Sequence, residues 1–293
     1  MAIYDINGIS LLEAYDVDGV GLNEAYDIND NLIFPDVDRP LRVLSFNVGS
    51  FYTQYHPAPA STGDVFYYRN KTMFENCNAD FAGLTEWQET IGTVPASVLM
   101  NEFFRTYYPD YNAYPTAGAA MTSAFSVIPS SVELIRYATQ GGSTRYYQKS
   151  YVTYQGKRIC FICTHLDLTA SARAAQLTEL LNAVENEEYF IITGDFNFNI
   201  EEVGDSEYNA SIPLILAKGY NSAQNSNHLF MTWYKGTTPE NITSARALDN
   251  IITSSNIDIL NPRIETTKLT DGLNEVYDIS FDHVPLIADL VVN

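Results

Sequence analysis

Six apolar or β-branched segments of this chain end in side chains that can bind a cation, polarise a bond or move a proton. They end at Asn47, Glu86, His165, Asp195 with Asn197, Asp249, and Asp282 with His283. Only four histidines occur in the 293 residues, and two of them, His165 and His283, fall at these positions. His56 and His228 sit in loop-like stretches and read as surface or rim residues. The most compact of the six segments is Phe190-Ile191-Ile192-Thr193-Gly194-Asp195-Phe196-Asn197, which reads as a buried strand that stops at a glycine. Side chains two apart on an extended segment point the same way, so the Asp195 carboxylate and the Asn197 carboxamide could meet one small anion or one metal. A polar pair after a glycine is equally at home in an Asx turn. The motif alone leaves both readings open.

Gathering these residues requires sheets whose strand ends share one edge. Residues 41–47 alternate as a strand, and 80–86 form a second that ends in an acid. Strands are also expected over 119–127 and 132–138. A hairpin over Gln155-Gly156 joins 146–154 to 158–164, which runs into His165. Residues 170–186 carry Ala, Leu and Val at helical spacing, and 64–79, 95–108 and 207–218 are further helical candidates. Strands at 246–253 and within 279–292 close the chain. Alternating strands and helices with hairpins among them predict a layered α/β fold with mixed sheets.

Residues 4–34 contain a repeat. Tyr4-Asp5-Ile6-Asn7-Gly8, Tyr15-Asp16-Val17-Asp18-Gly19 and Tyr26-Asp27-Ile28-Asn29-Asp30 recur every 11 residues. Asn-Gly and Asp-Gly beside aromatic and β-branched residues are hairpin-turn signals, so a small β-ribbon is expected over 1–36. It is too short to bury much alone, and it becomes the candidate for docking or self-association. Asp16-Val17-Asp18-Gly19 looks like the start of a calcium loop, but no glutamate follows at the required spacing, which favours turn chemistry. A proline-bounded linker, Pro35 to Pro40, leads into the main domain, taken as 37–293.

The formal net charge is −20, of which residues 1–39, with nine acids and one base, carry −8. So acidic a chain is poorly suited to a generic grip on a nucleic-acid backbone, which relies on Lys and Arg. A divalent cation and a few local basic residues would still allow it to meet phosphate. Hydrophobic residues make up 46% and charged ones 18%, which excludes a disordered chain. No apolar run approaches the roughly 18–20 residues that span a bilayer. The start, Met1-Ala2-Ile3-Tyr4-Asp5, lacks the basic and apolar regions of a secretory signal, pointing to the cytoplasm or a non-classical route. Cys160 and Cys163 lie three apart on an expected strand, hence on opposite faces, and read as buried thiols rather than a redox or zinc pair.

Six short motifs, taken in order, resemble the signature of the endonuclease/exonuclease/phosphatase superfamily, which has the deoxyribonuclease-I-like fold. They are Leu44-Ser45-Phe46-Asn47-Val48, Gly83-Leu84-Thr85-Glu86, Thr164-His165-Leu166, Gly194-Asp195-Phe196-Asn197, Leu248-Asp249-Asn250-Ile251 and Phe281-Asp282-His283-Val284-Pro285. The resemblance covers about 41–293. It implies a four-layer α/β/β/α sandwich of two packed mixed sheets, with a site at one edge that cleaves phosphate esters with a divalent metal. Mg²⁺ is the metal it favours, with Mn²⁺ or Ca²⁺ as substitutes. Carried over by motif, Glu86 is the main metal carboxylate, preferred over Glu89, with Asn47 and Asp282 nearby. His283 is the general base, Asp249 holds its other ring nitrogen, and Asp195 orients the nucleophile or relays a proton. Asn197 donates to a phosphate oxygen, and His165 binds phosphate or assists the leaving oxygen. Arg145, with Lys149 as substitute, is the candidate phosphate clamp. Thr85, Asn250 and Phe281 depart from the usual Gln, aromatic and Ser, which bears on the substrate pocket more than on the chemistry. His165 resembles the deoxyribonuclease I, sphingomyelinase and inositol-phosphatase branches more than the exonuclease III branch.

The leading expectation is a metal-dependent phosphoesterase, first of all a nuclease on DNA or RNA. A phosphatase or phosphodiesterase on a small molecule or lipid head group is the alternative. A non-catalytic module attached through the N-terminal repeat is the third.

Overall fold

A computed structural model describes residues 40–48, 76–86, 121–235, 243–265 and 283–293, together with the backbone of a few short strands outside them. The chain divides into two compact units, Met1–Arg39 and Pro40–Asn293. In the first, Ala25–Tyr26 pairs antiparallel with Leu32–Phe34. The rest of the repeat lies outside the described residues, as do the helical candidates 64–79 and 95–108 apart from a helical turn at 76 and 77.

The second unit is built on two sheets. We label its strands β1 (Leu41–Asn47), β2 (Phe81–Thr85), β3 (Asn112–Thr116), β4 (Met121–Phe125), β5 (Ser131–Arg136), β6 (Tyr146–Tyr154), β7 (Lys157–His165), β8 (Phe190–Ile200), β9 (Asn221–Ser222), β10 (Trp233–Lys235), β11 (Ser244–Thr253), β12 (Ile257–Ile264) and β13 (Leu286–Val292). One sheet runs β12-β13-β1-β2-β4-β3, and the other runs β9-β11-β8-β7-β6-β5 with β10 beside β11. Each holds one parallel pair at its centre, β1 with β2 and β7 with β8, among antiparallel neighbours. The carboxyl ends of those two pairs carry Asn47, Glu86, His165 and Asp195. Ends of this kind, where loops rather than ladders follow, are where α/β sheets build their sites.

Alternation along β7 explains the layering. Ile159, Phe161 and Cys163 face a core shared with Val43, Phe81 and Phe125 of the other sheet. Cys160 and Ile162 face a second core against the helix α1 (Ala170–Ala183). Cys160 and Cys163 therefore lie on opposite faces as buried free thiols, and burial pushes both up to about 12. Between the sheets, the rings of Phe81, Phe125 and Phe161 meet edge to face at 5.1–6.0 Å. The helix forms because Arg173, Gln176, Leu177, Leu180 and Leu181 repeat at three- and four-residue spacing on one buried face. The expected single helix over 207–218 is two short ones, α2 (Ser206–Asn209) and α3 (Ile212–Ala217). Ser211 adopts a non-helical backbone between them, and Pro213 follows it at the first turn of α3.

A second expectation is corrected. The strand through 190–194 does not stop at Gly194 but runs on to Ile200. Gly194 has φ 151° and Asn197 φ 54°, and the pairing with β11 slips between Asp195 and Ile200. The irregularity that looks like a strand end in the sequence is a break in register inside a long strand.

Candidate active site

At Gly194 the sheets come together. Its N–H donates to Ser45 Oγ of the other sheet at 2.8 Å, and a β-carbon there would fall 1.9 Å from the Thr164 carbonyl oxygen. Only glycine permits that approach of β8 to β7 within its own sheet. The next residue, Asp195, is buried and joins the two halves of the site. Its Oδ2 accepts from Asn47 Nδ2 at 2.9 Å, and the same nitrogen reaches Glu86 Oε1 at 3.1 Å. His165 Nε2 lies 3.6 Å and His283 Nε2 3.7 Å from that same oxygen. Both gaps exceed a direct hydrogen bond and leave the acceptor open to a shared third group. Asp195 Oδ1 accepts from Asn197 N at 2.8 Å.

The far side of His283 is fixed. Its Nδ1 meets Asp249 Oδ2 at 2.7 Å, with the Asp249 side chain wholly buried. Asp249 pairs directly with Asp195 across β11 and β8, so the two carboxylates come from facing positions. The segment before β10 aligns the pair. Thr232 Oγ1 accepts from Leu248 N at 3.1 Å and Asp249 N at 2.9 Å, while Val284 N donates to the Thr232 carbonyl at 2.7 Å. Trp233 forms an antiparallel bridge with His283. Thr232 is a residue that the motif reading missed, because its backbone and hydroxyl work across two distant segments and leave no local pattern.

The expected site residues Asn47, Glu86, His165, Asp195, Asn197, Asp249 and His283 all fall at this edge. Asp282, Glu89 and His56 lie outside the described residues. Asn197 Nδ2 donates to the Leu166 carbonyl at 2.9 Å, tying β8 to the residue after His165. Arg145 sits at the start of β6. Tyr147, two residues on, pairs with Thr164, the neighbour of His165, and the Arg145 charge acts on His165. Its Nε is buried without a partner. Lys149 is engaged elsewhere, by the Ala183 carbonyl at 3.2 Å at the end of α1 and by Glu187 at 3.1 Å beyond it, which leaves Arg145 as the candidate of the two. His228 is exposed and stacks on Phe230.

Burial dominates the electrostatics. It pushes Asp195 above the ordinary carboxylate range, with partial relief from His165 and His283. It also drives His165 down to about 4, against the attraction of Asp195 and with the help of the Arg145 charge. His165 is therefore neutral at pH 7, an imidazole able to make hydrogen bonds rather than a cation.

The donors suit a hard cation. Glu86 offers a carboxylate and Asn47 a carboxamide, and Glu86 holds φ 59°, a left-handed backbone that non-glycine residues seldom adopt away from constrained sites. Among the described residues, no three His, Cys, Asp or Glu side chains gather into an all-protein cage. A sparse oxygen set is what Mg²⁺ takes, since it keeps waters and completes its shell with phosphate oxygens.

Comparison with known proteins gives the fold a name. No protein-family model and no curated protein matches the chain. Solved structures do. An endonuclease/exonuclease/phosphatase from Beutenbergia cavernae superposes with a TM-score of 0.63 at 17% identity, over 87% of this chain and 72% of that one. The chain has the endonuclease/exonuclease/phosphatase fold. A mannosyl-6-phosphatase from Bacteroides thetaiotaomicron matches with TM-score 0.59 at 14% identity, covering 86% of this chain and 99% of that one. D. rerio TDP2, in complex with a single-strand DNA product, matches with TM-score 0.61 at 18% identity, covering 87% and 100%. Two packed mixed sheets are what the resemblance of the sequence motifs implied, and no helix among the described residues is long and apolar enough to cross a membrane.

Proposed function

We propose that the protein is a divalent-metal-dependent phosphoester hydrolase. The observation that carries this reading is the line from Asp249 through His283 to Asp195, at 2.7 and 3.7 Å, with Glu86 joined to it through Asn47. Asp249 holds the proton on His283 Nδ1 and leaves Nε2 as a base. A water between His283 Nε2 and Asp195 Oδ2 would be oriented by both and lose its proton to the imidazole as it attacks phosphorus. Glu86 and Asn47, with Asp282 beside His283 in sequence, would hold Mg²⁺, which supplies charge neutralisation on the phosphate. Neutral His165 and the Asn197 amide would donate to phosphate oxygens or to the departing oxygen, and the Arg145 guanidinium would clamp the phosphate.

A nuclease is the first reading of the substrate, supported by the likeness to TDP2 with its bound DNA product. A small phosphate ester is the second. It is favoured by the net charge of −20, which repels a polyanion, and by the likeness to a sugar phosphatase. Plasmid DNA and RNA, incubated with Mg²⁺ or Mn²⁺ beside a panel of sugar phosphates, inositol phosphates, nucleotides and sphingomyelin, separate the two. Chelator-sensitive nicking that exceeds every small ester supports the nuclease, and the reverse order dismisses it. The N-terminal repeat is the proposed docking or self-association element. Sedimentation of the full chain beside one starting at Pro40 tests it, and two identical monomers remove the self-association idea.

A further inference from the structure

We propose that Asp167 is a positioning residue that holds Arg145 at the phosphate side of the site. The inference rests on the phosphoester reading only for the identity of the ligand.

Asp167 follows His165 and Leu166 at the end of β7 and is fully buried. Its carboxylate accepts four backbone N–H groups: Gly141 at 3.2 Å, Gly142 at 3.3 Å, Ser143 at 3.2 Å and Thr169 at 2.7 Å. Three successive amides converging on one anion form a nest, the arrangement that backbone uses to grip phosphate, here filled by the protein's own carboxylate. Burial would raise this carboxyl, but the bonds from Thr169, Ser143 and Gly142 outweigh it and hold it at about 2, so it stays ionised. The turn is shaped for this contact, since a β-carbon on Gly141 would fall 2.3 Å from Asp167 Oδ1.

The clamp extends to Arg145 itself. Gln140 Oε1 accepts from Arg145 N at 2.7 Å, and Gln140 Nε2 donates to the Arg145 carbonyl at 3.1 Å. Gln176 on α1 bonds both ends of the assembly, accepting from Asp167 N at 2.8 Å and donating to the Thr139 carbonyl at 2.9 Å. A hairpin between β5 and β6 needs only two to five residues to turn. The connection from Arg136 to Tyr146 is longer, and its surplus residues are bonded to Asp167, Gln176 and Arg145. The side chain delivered is a guanidinium beside His165 whose Nε is buried and unpartnered. A buried guanidinium nitrogen without an acceptor is costly unless an anion completes it.

The test is binding of inorganic phosphate by calorimetry, to the full chain and to Asp167→Asn, Gln140→Ala, Arg145→Ala and the pairwise combinations with Arg145→Ala. The expected result is that Arg145→Ala weakens phosphate binding by about tenfold or more, the loss of a charge-assisted contact. Asp167→Asn and Gln140→Ala do the same alone and add nothing when Arg145 is already gone. Gln140→Ala carries the test should Asp167→Asn fail to fold. Folded variants that bind phosphate as the wild type does, losses that simply add, or a wild type that binds no phosphate would each overturn the proposal. Phosphate binding with the expected pattern but no hydrolysis of any ester would sink the hydrolase reading and leave the positioning of Arg145 standing.

Discussion

Asp249 Oδ2 lies 2.7 Å from His283 Nδ1, although 34 residues separate them in sequence and both are buried. In the proposed mechanism this contact sets which imidazole nitrogen carries the proton, and hence which is free to act as base. Asp249→Asn keeps the shape but can turn an amide N–H toward Nδ1 and favour the wrong tautomer. Turnover of a chromogenic phosphodiester should fall by about 10²–10⁴, the range of general-base catalysis, with phosphate affinity nearly unchanged. A fall in affinity with unchanged turnover would place Asp249 in binding instead.

His165 makes stability depend on pH. Its folded value of about 4 lies below the ordinary 6.5, so the unfolded chain takes up its proton first as pH falls. The contribution is fully present above about pH 6.5 and is lost between there and pH 4, up to ~3 kcal/mol by linkage. Urea midpoints measured across that window should slope upward with pH, and His165→Gln should flatten the slope. Parallel slopes in the two proteins would show that His165 is not held neutral.

Much of the site was legible in the sequence because each motif couples an apolar strand to a polar residue at its end. Such a pairing survives as a local pattern in Leu44–Val48, Thr164–Leu166 and Leu248–Ile251. Thr232 and Asp167 were not legible. Apart from the local bond from Thr169 to Asp167, their work is done on backbone amides of residues 16 to 26 positions away, and neither the spacing nor the residue type announces it. The run of β8 past Gly194 was hidden for a related reason. Left-handed φ at Asn197 and a register slip against β11 look the same as a turn when only residue types are visible.

Gly194 should tolerate no side chain. With φ 151° and the Thr164 carbonyl of the neighbouring strand 1.9 Å from a built β-carbon, Gly194→Ala must move the β7–β8 ladder. Loss of more than about 2 kcal/mol in chemical unfolding is expected, from backbone incompatibility and a clash together. A midpoint equal to that of the wild type would show that β7 and β8 are not so closely apposed there.

Glu86 should set the metal requirement. Glu86→Gln removes the one carboxyl side chain among the described residues proposed to hold the cation, and the Mg²⁺ concentration for half-maximal turnover should rise tenfold or more. An unchanged Mg²⁺ titration would move the cation to other ligands.

The most direct test of metal-dependent hydrolysis driven by His283 is turnover of DNA and of a chromogenic phosphodiester by the wild type and by His283→Ala, each with Mg²⁺ and then with chelator. The expected result is cleavage by the wild type that chelator abolishes and added Mg²⁺ restores, reduced by about 10²–10⁴ in His283→Ala. Cleavage that survives chelator, or that His283→Ala performs as well as the wild type, would contradict it.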